Sequence, residues 1–265
     1  MAKDKRALRM ECWSSLRAVR AARFPGAVGR IPNFTGAEAA AERLTRERVW
    51  ERARVIKANP DLPQRPLRYA ALKAGKRVYM AVPRLRDRKA FLLLDPARLG
   101  EKALWEASSI QGAFELGRPV AFHELDHIDL IVTGCVGVSS DGARLGKGGG
   151  FSDLEYAFLR EATHATARTP IVTTVHPTQV LRKGRIPMAP HDVSVDLFAT
   201  PEKLVRCPRA HRRPRGILWN LLDDAKRAEI PLLADVVPPP KRKRVSARSG
   251  SRRRGRGPRS RRNPA

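Results

Sequence analysis

Five of the chain's nineteen glycines fall within nine residues, from Gly142 to Gly150. A stretch this rich in glycine, Asp141 to Asp153, is built for positive φ and for close approach of the backbone to a neighbour. Upstream, Ile128–Thr133 reads as a buried strand; downstream, Leu154, Phe158 and Leu159 recur at helical spacing in a segment running to Ala165. The expected unit is strand, glycine loop, helix.

Successive N–H groups of such a loop can turn inward around an anion, and the following helix adds the positive end of its dipole. Arg144 and Lys147 are placed to neutralise phosphate oxygens. Asp153, at an expected exposed helix start, is the candidate to hold Mg²⁺, which favours carboxylate, phosphate and water oxygens. A flexible linker is the other reading, but linkers carry Ser and Gly on both sides, whereas this loop is confined between strand and helix. It is not a Walker loop, because Gly146-Lys147 is followed by glycine rather than Ser or Thr.

The rest of the chain alternates helix and strand. Leu8, Cys12, Leu16 and Val19 predict a helix from Lys5 to Ala22, with Lys5 and Arg9 on one face four residues apart. Helices are expected at 37–49, 66–74 and 217–228, and strands at 54–57, 77–82, 91–94, 171–175, 193–197 and 203–207. This pattern implies an α/β fold with a mostly parallel sheet and ligand loops at the carboxyl ends of its strands.

The segment Arg144-Leu145-Gly146-Lys147-Gly148-Gly149-Gly150-Phe151-Ser152-Asp153 resembles the Arg-x-Gly-x-Gly-x-Gly-Tyr-Tyr-Asp signature of the 5-formyltetrahydrofolate cyclo-ligase (methenyltetrahydrofolate synthetase) family, with Phe151 and Ser152 in place of the two tyrosines. Lys5-Arg6-Ala7-Leu8-Arg9 is similar to the Lys-x-x-x-Arg that opens the family and contacts ATP. Ile31-Pro32-Asn33-Phe34 and Asn59-Pro60-Asp61 look like the family's diverged branch. The resemblance spans Lys5 to Leu233 and implies a Rossmann-like three-layer fold. It also implies an ATP site formed by Lys5, Arg9 and Arg144 through Asp153, with Mg²⁺ on Asp153 and ATP as co-substrate.

The activity the resemblance implies is a ligase reaction converting 5-formyltetrahydrofolate to 5,10-methenyltetrahydrofolate as ATP becomes ADP and phosphate. On the folate side the pattern departs: Ala113-Phe114-Glu115-Leu116-Gly117-Arg118-Pro119 stands where the family carries a Trp-Gly-Ile-x-Glu-Pro-like segment. The alternative is therefore an ATP-binding paralogue acting on another small-molecule acceptor, as in relatives associated with thiamine metabolism. Asp192, Asp196 and Thr200 resemble the family's late Asp-x-x-x-Asp segment but read as strand flanks, outside the site.

The net charge of +27 is uneven: residues 238–265 hold twelve Lys and Arg and no acidic residue, leaving +15 for the rest. With little apolar content this tail is expected to be disordered beside a folded domain over 1–237. It suits either non-specific attachment to nucleic acid, which is the basis of a third reading as an adaptor, or plain solvation. No apolar run approaches the length of a membrane span, and no signal-peptide core follows the charged start, so a cytoplasmic location without membrane contact is expected. Cys12, Cys135 and Cys207 are far apart and form no C-x-x-C pair, which points to structural thiols. His123-Glu124-Leu125-Asp126-His127 satisfies the H-E-x-x-H pattern, but zinc chemistry needs it on a helix, and a strand follows at once.

Overall fold

The computed structural model describes residues 4–82, 85 and 87–236. The basic tail, 238–265, lies outside them.

Eleven strands occur among the described residues: β1 (Val55–Ala58), β2 (Arg77–Ala81), β3 (Phe91–Leu94), β4 (Arg118–Val120), β5 (Leu130–Val132), β6 (Gly137–Ser139), β7 (Arg144–Leu145), β8 (Ile171–Thr174), β9 (Val180–Leu181), β10 (Leu197–Ala199) and β11 (Leu204–Arg206). Eight of them form one sheet in the order β11-β10-β8-β5-β1-β2-β3-β4; β7, β6 and β9 form a second, small sheet. From β10 across to β2 the neighbours run parallel, and antiparallel strands close both edges.

The three layers follow from the two-residue period of a strand, which sends alternate side chains to opposite faces. Ile56 and Ala58 of β1, Val78 and Met80 of β2, and Leu92 and Leu94 of β3 enter one core, with Leu8, Leu16, Leu44 and Leu67 from the helices Lys5–Ala18, Ala37–Thr45 and Arg65–Lys73. Val55, Tyr79, Phe91 and Leu93 enter the other, against Tyr156, Phe158 and Leu159 of the helix Phe151–Glu161. Buried on both faces, these strands read as apolar runs, as parallel sheets require. The mostly parallel α/β architecture expected from the sequence is the one observed.

Several boundaries differ from the sequence reading. The first helix stops at Ala18, four residues early, because Arg20 turns left-handed (φ 52°) and Ala21 donates back to Leu16 O at 3.1 Å. The helix expected over 37–49 breaks after Thr45 and restarts at Arg48. The strand expected over 193–197 is Leu197–Ala199, since Val193 and Val195 spend their amides on Asp153 Oδ1 (3.0 Å) and Gly142 O (2.9 Å). The closing helix over 217–228 is a 3-10 turn, Trp219–Leu221, and a separate helix, Asp224–Glu229, which begins where Asp223 accepts from Lys226 N at 2.6 Å. The strand that leads into the glycine loop is not the central β5 but β7, because Ser139 Oγ and Ala143 N both donate to Asp141 Oδ1 and fold β6 and β7 into a hairpin.

Candidate functional site

From β1 the chain moves outward to β2 on one side and later enters β5 on the other, so the order of strands reverses at the β1–β5 boundary. In open α/β sheets ligands bind outside the carboxyl ends of the strands at such a point. Here those ends deliver Asn59, Pro60 and Asp61 after β1 and Gly134 after β5. With the glycine loop and the start of the first helix they enclose a cleft of about 530 Å³. Every residue that the sequence assigned to the nucleotide lines this cleft except Leu145, which is fully buried in the core beneath it.

Gly148 (φ 114°) and Gly150 (φ 70°) take conformations that a side chain would strain, and a Cβ at Gly148 would stand 3.5 Å from the guanidinium carbon of Arg9. Arg9 Nε donates to Gly146 O at 2.7 Å, so the first helix carries a cation directly onto the loop. No side chain caps the loop helix. Its first amides are the unsatisfied donors that every helix N-terminus presents, and residues 150–153 line the cleft.

The cations divide into two kinds. Lys147 is half exposed, with Asp61 Oδ1 3.7 Å away, and Lys5 pairs with Asp192. Arg144 is 4% exposed, and its guanidinium is spent on the protein: Nε donates to Val193 O (3.1 Å), Nη1 to Gly134 O (3.2 Å) and Nη2 to Asp153. Burial works against its charge, but the surrounding groups, the Asp153 carboxylate first among them with Cys135 and Asp192, together outweigh that and hold it above its ordinary value. Arg144 is thus a tie under the loop, whereas Lys5, Arg9 and Lys147 are the cations at the cleft surface.

Asp153 is not at an exposed helix start, since its side chain is only 15% exposed. Its bonds to Arg144 and to Val193 N both end on Oδ1. Asp192, which sequence reading left among strand flanks, lines the same cleft. Its Oδ2 accepts from Lys5 and from Ala189 N (2.5 Å), and its Oδ1 lies 3.7 Å from His191 Nε2. Asp196 does cap a strand, accepting from Ile171 N at 2.9 Å, and Thr200 closes the turn at Glu202 and Lys203. Among the described residues no group of three or more His, Cys, Asp and Glu is arranged to enclose a metal. Two carboxylates on one cleft wall are a different donor set, all hard oxygens with room for phosphate and water, and it fits Mg²⁺.

Below the loop runs a polar chain that sequence reading missed. Lys57, 1% exposed on β1, pairs with Glu155 of the loop helix and donates to Asn59 Oδ1 at 3.1 Å. Asn59 Nδ2 donates to Ser152 Oγ at 2.7 Å and to Glu155 Oε2 at 3.2 Å. The signal was present: a lysine within the apolar run Val55-Ile56-Lys57-Ala58 of a central strand demands a buried carboxylate. Beside Lys147 in the cleft, burial pushes the Asp61 carboxyl above its ordinary value, more strongly than Lys147 pulls it down. Gln64, fully buried behind Gly134, has neither amide atom bonded within the protein.

His123 and Glu124 lie in a 3-10 turn, with Leu125–His127 extended beyond it, so the H-E-x-x-H residues do not share a helical face. The Ala113–Pro119 segment ends a helix and forms edge strand β4, and none of it lines the cleft.

The sequence model of the 5-formyltetrahydrofolate cyclo-ligase family matches residues 1–201. The chain belongs to that family. Its similar curated relatives include the methenyltetrahydrofolate synthase domain-containing protein of Danio rerio, 34% identical over 227 residues, which is 85% of this chain and 59% of that one. The Mus musculus protein of the same description is 34% identical over 234 residues, 88% of this chain and 63% of the relative. The chain spans about three fifths of the length of these relatives. The solved structure of Aquifex aeolicus 5,10-methenyltetrahydrofolate synthetase is 20% identical, covers 78% of this chain and 94% of its own, and superposes with a TM-score of 0.49. The cyclo-ligase family is one of ATP-dependent ligases that normally use Mg²⁺. The basic tail lies beyond the family match, so its reading as a nucleic-acid attachment gains no support there. Among the described residues no helix is long and apolar enough to cross a membrane.

Proposed function

We propose that the chain binds Mg-ATP with its phosphates along the glycine loop and transfers the γ-phosphoryl group to the formyl oxygen of a reduced folate. 5-Formyltetrahydrofolate becomes 5,10-methenyltetrahydrofolate, and ADP and phosphate are released. The observation that carries this reading is the convergence of Lys5, Arg9 and Lys147 with the backbone of Gly146–Gly150 on one cleft at the sheet's switch point.

A formamide oxygen is a poor leaving group. Once it is phosphorylated, the neighbouring folate amine attacks the formyl carbon, the C–O bond breaks, and the oxygen departs with the phosphate, which takes up the amine's proton as the ring closes. The protein's work is positioning and neutralising charge. Lys5, Arg9 and Lys147 balance phosphate oxygens, and the loop amides orient the transferred group. Asp153 and Asp192 are the residues to hold Mg²⁺, which supplies neutralisation of charge on the phosphate oxygens. Arg144 holds Asp153 and the strand ends in place, and the Lys57–Glu155–Asn59–Ser152 chain fixes the first turn of the loop helix. Asp61, which follows β1 and lines the cleft, supplies a polar group for the acceptor.

A second reading shares the nucleotide site and changes the acceptor. It is favoured by the Ala113–Pro119 segment, which differs from the family's pterin pattern and lies away from the cleft. One assay separates the two. Purified protein with Mg-ATP and 5-formyltetrahydrofolate is followed for methenyl absorbance and, separately, for ADP. Both products are expected from the wild type and neither from Arg9→Ala/Lys147→Ala. ADP formed with another acceptor, and no methenyl product from formylfolate, establishes the second reading instead.

A further inference from the structure

A smaller cavity of about 160 Å³ opens beside the cleft and shares Gly150, Asp153 and His191 with it. Its other walls are mainly apolar: Leu154 and Ala157 on the loop helix face Leu218, Leu221 and Leu222. That second wall comes from a segment beyond residue 201, where the family model's match ends. The segment is anchored to the loop helix. Glu161 Oε2 accepts from Ile217 N at 3.0 Å, the Ile217 side chain is buried, and Lys226 Nζ stands 3.7 Å over the centre of the Phe151 ring.

The size and chemistry of the cavity select what can enter. An apolar cavity of about 150 Å³ accepts a benzene ring, so this one has room for an aromatic ring; its leucine walls offer nothing to a phosphate, and the lysine that lines it, Lys226, is held over the Phe151 ring and paired with Glu229. It meets the cleft at Gly150, Asp153 and His191, and the first two lie at the start of the loop helix, where an anion would be held. A molecule whose charged end lies on the loop therefore has its apolar, planar end beside this opening. We propose that the cavity between the loop helix and residues 214–226 is the subsite for the base of the bound nucleotide. The proposal rests on the reading that phosphates occupy the glycine loop, and it makes this chain's own later segment part of the nucleotide site.

Calorimetry on the full chain with two probes, Mg-ATP and Mg-tripolyphosphate, tests this. The wild type is expected to bind both, Mg-ATP the more tightly by on the order of tenfold for the buried ring. Leu221→Asn alters a side chain that is 50% exposed and places a polar amide on the cavity wall. Ala157→Leu fills the cavity, with thermal unfolding as the check that this variant folds. Either substitution is expected to bring Mg-ATP affinity down to that of Mg-tripolyphosphate and to leave the latter within about twofold of wild type. Unchanged Mg-ATP affinity in the folded variants overturns the base subsite, as does equal affinity for the two probes in the wild type. A raised KM for formylfolate with unchanged Mg-ATP affinity assigns the cavity to the acceptor instead. Failure of Mg-tripolyphosphate to bind the wild type removes the phosphate reading itself and the subsite with it.

Discussion

The Arg144 guanidinium and the Asp153 carboxylate form a largely buried salt bridge beneath the glycine loop, and Val193 N donates to the same carboxylate oxygen. Arg144 opens the loop and Asp153 follows it, so this pair closes the loop on itself. Arg144→Lys keeps the charge but loses the fork that also reaches Val193 O and Gly134 O. It is expected to cost about 3 kcal/mol of stability and to weaken Mg-ATP binding as well. Lys147→Ala, at a half-exposed cation, should change stability by no more than about 0.5 kcal/mol and reduce Mg-ATP affinity about tenfold. Urea denaturation and calorimetry on both variants check the contrast; a stable Arg144→Lys protein with only a binding defect would make Arg144 a ligand for phosphate after all.

The Lys57–Glu155 pair sits almost wholly out of water between the central strand and the loop helix. Lys57→Met strands the Glu155 charge and is expected to destabilise the protein by about 3–5 kcal/mol. Adding Glu155→Leu should recover most of that loss, because the penalty lies in the uncompensated charge. Urea midpoints of the single and double variants measure it. Equal destabilisation in both would mean that packing around Lys57, rather than charge, governs the site.

Asp61 makes stability depend on pH in a defined direction. Burial holds its folded-state carboxyl above the ordinary value of 3.8, so the native chain keeps this proton to a higher pH than the unfolded chain does. Between the two values the unfolded state releases the proton first, and stability falls as pH rises until the folded-state carboxyl has also ionised. Asp61→Asn removes this penalty. The variant should be more stable than wild type at pH 7, with the advantage disappearing as the pH falls below about 4. A pH series of urea midpoints decides, and a difference that does not change with pH rules the mechanism out.

The thiols should be unreactive in the folded protein. Burial pushes Cys12 up to about 12 and Cys135 to about 11, leaving almost no thiolate at neutral pH. Titration with a thiol reagent should label both slowly in native protein and rapidly in denaturant; fast native labelling of Cys135 would show that the β5 end opens.

Much of this was legible in the sequence because local rules and tertiary structure agreed. The apolar runs at Val55–Ala58, Phe91–Leu94 and Ile171–Thr174 had to be strands buried on both faces, and the loop glycines had to meet something closely. The separation of surface cations from tied ones was not legible. Lys147 and Arg144 are three residues apart in the same motif, and only burial shows that Arg144 is consumed by backbone carbonyls. Asp192 was passed over because its role depends on a loop bringing it to Lys5, 187 residues earlier in the chain. The wall formed by Leu218, Leu221 and Leu222 falls within the helix expected over 217–228, and the Asp223 cap that starts a separate helix there is a local signal that apolar spacing concealed.

The central claim is that the glycine-loop cleft binds Mg-ATP. Titration calorimetry of the folded wild-type chain with Mg-ATP at millimolar concentrations, paired with a thermal melt at the same concentrations, tests it directly. A ligand that binds only the native state raises its melting temperature by mass action. The account predicts a saturable heat signal, a melting temperature that rises with Mg-ATP, and loss of both in Arg9→Ala/Lys147→Ala. Absence of heat and of any thermal shift in folded wild-type protein would contradict it.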